Sequence, residues 1–110
     1  MEIDVRTEGG VTIVAPQGDI DGQTAPELQG RVLPLIVEGA KILVDLAGVK
    51  FMSSSGLRVM LITYREGTTK GVPMVLTGLG DDVRNSMSAT GFLQYFTVRE
   101  TAAEGLAELG

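Results

Sequence analysis

Three of the five serines in this 110-residue chain stand together, in Phe51-Met52-Ser53-Ser54-Ser55-Gly56-Leu57. Hydroxyls grouped in this way, where a buried strand hands over to an amphipathic helix, can cap that helix and leave its first N–H groups facing an anion, with capping alone as the simpler reading. Nucleophilic catalysis of the serine-hydrolase kind is remote, because the chain has no histidine to act as general base. It has no cysteine either, which removes thiol nucleophiles, disulfides and Cys/His metal sets. A second candidate is the acidic pair in Gly18-Asp19-Ile20-Asp21-Gly22. Two acids so close could hold Mg²⁺, but loop acids beside a helix start serve more simply as caps or solvated charges. Arg58 and Arg65 could form a binding face, with a solvated helix side as the simpler reading. The 15 glycines are turn chemistry and contain no dinucleotide or phosphate-loop motif. No catalysis and no cofactor are expected.

Composition narrows the partners. Nine Lys and Arg stand against 14 Asp and Glu, a formal charge of −5. The basic residues are scattered, aromatics are 5% of the chain and tryptophan is absent, a poor footprint for nucleic acid. A hydrophobic fraction of 44% is enough for a core. Met1-Glu2-Ile3-Asp4 does not open like a signal peptide. No apolar run approaches the roughly 20 residues a membrane helix needs. A single domain over residues 1–110, working in the cytoplasm, is the expectation.

The elements that must position the serines follow from periodicity. Ile3 and Val5 alternate with Glu2, Asp4 and Arg6, and Val11, Ile13 and Ala15 alternate after Glu8-Gly9-Gly10, which predicts an antiparallel hairpin. Thr24 and Glu27 read as a capping box opening a helix with Ala25, Leu28, Val32, Leu35 and Ile36 on one face, kinked or shortened at Pro34. Ile42-Leu43-Val44 reads as a strand buried on both faces. The serine run then opens a second helix with Leu57, Met60, Leu61 and Tyr64 on one stripe. Val72 to Thr77 is a further strand, and Asp81 or Asp82 opens a short helix ended by Gly91. Tyr95 to Val98 is a last strand, and Thr101 and Glu104 form a capping box for a terminal helix. The order ββαβαβαβα implies an α/β fold whose sheet is parallel after the hairpin. Ligands and partners of such sheets meet the loops after the strands' carboxyl ends. The loops of residues 19–23 and 45–55 are of that kind.

The stretch from Val44-Asp45-Leu46 through Phe51-Met52 to Ser53-Ser54-Ser55-Gly56-Leu57-Arg58 resembles the signature of anti-sigma factor antagonists in the STAS family. Gly18-Asp19-Ile20-Asp21 is similar to that family's Gly-x-[Leu/Ile]-Asp step after the second strand. The resemblance implies a single STAS domain over 1–110. Its fold would be a mixed four- to five-stranded sheet with an N-terminal antiparallel hairpin and about four helices, mainly on one face. It also implies partner switching. The unphosphorylated antagonist binds an anti-sigma factor that is often a serine kinase, phosphorylation releases it, and a metal-dependent serine phosphatase resets it. Carried over, the phosphorylated serine falls on Ser54, with Ser53 and Ser55 as alternates. Asp19, Asp21, Ser53, Ser54, Ser55, Gly56 and Arg58 are the expected partner-binding residues. The chain departs from the pattern at Ser53, where the family has Asp. The alternative is a STAS-type subunit that binds a small ligand or serves a lipid transporter and is not phosphorylated. Relatives that hold ligands often lack the hydroxyl at position 54.

Overall fold

The computed structural model describes residues 1–110. The hairpin forms as expected. Strand β1 (Glu2–Glu8) pairs antiparallel with β2 (Val11–Gln17), with Val5 opposite Val14. The two-residue turn needs left-handed backbone at both positions, and Gly9 (φ 57°) and Gly10 (φ 81°) adopt it without a Cβ clash. Three parallel pairings then extend the sheet, from β2 to β3 (Ile42–Asp45), to β4 (Met74–Thr77), to β5 (Thr97–Arg99). Strand order in space is therefore the order in the chain, β1-β2-β3-β4-β5.

The helices divide unequally between the two faces. Helix α1 (Ala25–Val32), α2 (Ser54–Lys70) and α3 (Asp81–Ala89) enclose a core with Val14, Val44 and Leu76 from the sheet. On the opposite face α4 (Ala102–Leu109) covers Val11, Ile13, Leu43 and Val75 with Leu106 and Leu109. Leu43 lies in one core and Val44 in the other, which explains why β3 reads as an unbroken apolar run. The alternation of β2, β3 and β4 thus feeds two cores.

Several details differ from the sequence expectations. The capping box at Thr24 and Glu27 does not form. The Thr24 side chain makes no cap bond to α1, and the Glu27 carboxylate instead pairs with the α-ammonium of Met1 at 3.1 Å. Asp21 instead ties down the turn that leads into the helix, as described below. Pro34 ends α1 at Val32 and passes the chain into a 3₁₀ turn, Leu33–Leu35, because its ring removes an intrahelical donor. The final strand begins at Thr97, since Leu93–Tyr95 closes as another 3₁₀ turn. In α2 the buried positions are Gly56, Leu57, Val59, Met60, Thr63 and Gly67. Leu61 and Tyr64 are only half buried. Tyr64 turns to the aromatic pair Tyr95 and Phe96, with ring centroids 5.6 and 5.4 Å away. The terminal capping box of Thr101 and Glu104 is complete on both sides.

Candidate functional site

The two loops singled out in the sequence are joined by backbone hydrogen bonds beyond the ends of the strands. Ile20 and Met52 form an isolated parallel bridge. The Gly18 N–H donates to the Gly48 carbonyl (3.0 Å), Ile20 N–H to Phe51 (3.0 Å) and Ser53 N–H to Ile20 (2.9 Å). Ile20 and Met52 are buried beneath this seam. Each alternates out of its own loop into the core, so the residues beside them face outward: Asp19 and Phe51 are exposed.

The serine run divides its work. Ser53 is the N-cap of α2, extended at φ −78° and ψ 178°, and its Oγ accepts from the Gly56 N–H at 3.4 Å. Ser54 is the first helical residue and is exposed, and its hydroxyl has no hydrogen-bond duty within the chain. Ser55 is half buried and faces Gly22, whose missing Cβ would stand 3.9 Å from Ser55 Oγ. Gly56 is buried. A Cβ there would lie 2.6 Å from Met52 Cγ and 2.9 Å from both Ile20 Cγ2 and the Ile20 carbonyl. It therefore holds α2 against the seam, where the sequence expectation has it as a partner contact.

Asp21 is also a structural residue. Its Oδ1 accepts from the Gln23 N–H at 3.0 Å and the Thr24 N–H at 3.1 Å. The Asp21 N–H donates in return to Thr24 Oγ1 at 2.9 Å, and its carbonyl accepts from the Ala25 N–H at 2.8 Å. The backbone donor of Thr24, then that of Gln23, holds the Asp21 carboxyl below the usual carboxylate range. No group of three or more His, Cys, Asp or Glu side chains is placed to hold a metal ion.

Two open grooves flank the first turn of α2. One, of about 480 Å³, runs between α1 and α2 and is lined by Gly22, Pro26, Gln29, Leu33, Ser55 and Arg58, among others. The other, of about 490 Å³, lies toward α3 and is lined by Ser54, Ser55, Leu57, Arg58, Leu61, Thr90 and Phe92. Ser55 and Arg58 border both, so the first turn of α2 is a ridge between two hollows. Asp19, Ser53, Ser54, Ser55 and Arg58 are thereby gathered at one end of the molecule. Arg65 lines neither groove. The facing walls, Pro26 and Gln29 on α1 and Thr90 and Phe92 after α3, carry no local signal in the sequence. Only the packing of helices distant in sequence brings them here. Phe51, 51% exposed beside the cap, is a large apolar side chain on the same loop. Its place in the sequence, next to Lys50 and one step out of register with the buried Met52, was a usable signal.

Comparison with known proteins fits this geometry. The STAS domain family model matches residues 2–105, and the chain belongs to that family. It is 26% identical over 106 residues to the anti-sigma-B factor antagonist of Bacillus subtilis, covering 96% of this chain and 97% of that one. A crystal structure of an anti-sigma factor antagonist from Mycobacterium paratuberculosis superposes with a TM-score of 0.89 at 25% identity, over 98% of this chain and 92% of that one. The phosphorylated form of the Bacillus cell fate determinant SpoIIAA shares the fold at a TM-score of 0.75 and 17% identity, over 99% of this chain and 100% of that one. No helix is long and apolar enough to cross a membrane.

Proposed function

We propose that this chain is an anti-sigma factor antagonist, a binding protein switched by phosphorylation of Ser54. The observation that carries the reading is the division of labour in the serine run. Ser53 is spent on the cap and Ser55 is turned toward Gly22, while Ser54 presents a free hydroxyl at the head of α2. The partner is an anti-sigma factor that doubles as a serine kinase, and a metal-dependent serine phosphatase restores the free hydroxyl. Both act in the cytoplasm. The partner docks on the ridge and its two grooves, with Asp19, Phe51, Ser54 and Arg58 as exposed contacts.

The physics of the switch is local. A phosphoserine carries about −1.5 to −2 charges at neutral pH. At the head of a helix that charge meets unpaired N–H groups and does not unfold its own domain. Its cost falls on an interface that would have to desolvate the phosphate. A coupling of roughly 1–3 kcal/mol changes affinity some 5- to 150-fold, enough for a switch. Phosphopeptide mass spectrometry after incubation with the cognate kinase and ATP tests the register. Phosphate on Ser54, lost in Ser54→Ala with partner binding kept within about tenfold, is the expected result. Modification of Ser53 or Ser55 breaks the register, and no modification at all points to the ligand-binding alternative.

A further inference from the structure

Phosphorylation at Ser54, as proposed above, raises the question of which group receives the phosphate. Arg58 stands four residues on, one helical turn along the same face of α2, a spacing at which side chains meet. Side chains of a helix lean toward its N-terminus, so that of Arg58 lies over the turn that holds Ser54 and Ser55. Arg58 is exposed and takes part in none of the ion pairs of the chain, whose basic members are the Met1 ammonium, Arg6, Lys70 and Arg99. It is also the one charged residue lining either groove. The ridge therefore carries a single positive charge on a molecule whose formal charge is −5.

The electrostatics of α2 support the same reading. Helices α1, α3 and α4 each carry an acid in the first turn, Glu27, Asp81 with Asp82, and Glu104 respectively. Helix α2 carries none, and position 53, which the sequence signature gives to Asp, holds a neutral Ser. A cation one turn inside a helix N-terminus is unfavourably placed with respect to the helix dipole. A dianion on Ser54 relieves that placement.

We propose that Arg58 is the intramolecular counter-ion of phosphorylated Ser54, and that the switch works partly by withdrawing this arginine. In the unmodified chain the guanidinium is free, and it is the only cationic anchor the two grooves offer. In the modified chain it folds back over the phosphate in a charge-assisted pair, and the ridge passes from one positive charge to a net negative one. Modification thus adds a charge the interface must desolvate and removes the anchor at once.

The test uses the full chain with phosphoserine installed at position 54 by stop-codon suppression, so its outcome is independent of whether a kinase modifies that residue. The kinase experiment above tests the latter separately. The second ionisation of the phosphate is followed by ³¹P NMR at fixed ionic strength. With Arg58 present its pKa lies below that of the Arg58→Gln chain by about 0.5 units or more, because an adjacent cation favours the dianion. Arg58→Lys keeps part of that shift, and Arg65→Gln, which removes the same charge two turns further on, leaves the titration unchanged. Both arginines are exposed, so the variants fold. Identical titrations of the parent and Arg58→Gln chains, or an equal effect from Arg65→Gln, overturn the proposal.

Discussion

Neighbouring hydroxyls of one residue type acquire different duties here because the backbone changes from extended to helical between them. Ser53 is extended and turns its oxygen onto the Gly56 N–H, whereas Ser54 is already helical and makes no such bond. Ser53→Ala is expected to cost about 0.5 kcal/mol or somewhat more, toward the lower end of cap losses, because the bond is long. Ser54→Ala should be neutral within about 0.5 kcal/mol. Ser54→Asp should remain folded and within about 1 kcal/mol of wild type, since a helix start tolerates an anion. Urea titrations of the three variants separate these outcomes. Asp21 adds a pH dependence. Its carboxyl is held below its ordinary value by the N–H donors of Thr24 and Gln23, so the unfolded chain binds its proton more readily than the folded one. The stability it supplies is present above about pH 4 and is lost as pH falls through its lower folded value. Asp21→Asn should therefore narrow its stability gap from wild type as pH is lowered below about 4, which urea melts at neutral and acid pH will read.

At the scale of elements, the site depends on the seam between two loops more than on any one side chain. Ile20 and Met52 bridge the loops, and α2 is seated on them through Gly56, where there is no room for a methyl group. Gly56→Ala must push apart Met52 and the Ile20 backbone, at about 1–3 kcal/mol for overpacking. The alanine gains helix propensity there, about 1 kcal/mol, which offsets only part of that cost. Denaturant unfolding should show the loss, and amide exchange should show it concentrated at Ile20 and Ser53, whose N–H groups lie in the seam. Equal protection in both chains would remove Gly56 from this role. Two helices open on the same Thr-x-x-Glu pattern, and only one of them closes as a capping box. Thr101 and Glu104 close as a capping box because nothing else competes for either side chain. Thr24 and Glu27 do not, because Asp21 captures Thr24 and the Met1 ammonium captures Glu27.

The whole molecule is one sheet with two unequal cores, and every strand except the edges contributes to both. Such sharing couples the faces, so the chain should unfold in a single transition by circular dichroism and by tyrosine fluorescence alike. At 110 residues its calorimetric enthalpy should be about 80 kcal/mol near 60 °C and should equal the van't Hoff value. Two separate transitions would show that α4 and its small core melt independently. Phosphate at Ser54 should leave that transition single, since the modified residue is exposed and belongs to neither core.

The order of elements, the hairpin, the doubly buried β3 and the start of α2 at the serine run were all legible in the chain itself. Each depends on periodicity or on residues within a few positions of one another, and local sterics and hydrogen bonding decide such features. The gathering of the two motif loops was only implied by their places after strands. Packing decided the rest. It set Gly56 as a buried wedge and Asp21 as the acceptor that closes the turn leading into α1. It turned Leu61 to a groove wall and Tyr64 to the aromatic pair instead of the sheet. It alone brought Pro26 and Gln29, Thr90 and Phe92, to face the same turn of α2. Contacts between residues far apart in sequence depend on how helices settle onto the twisted sheet, and short-range pattern carries no information about that settling.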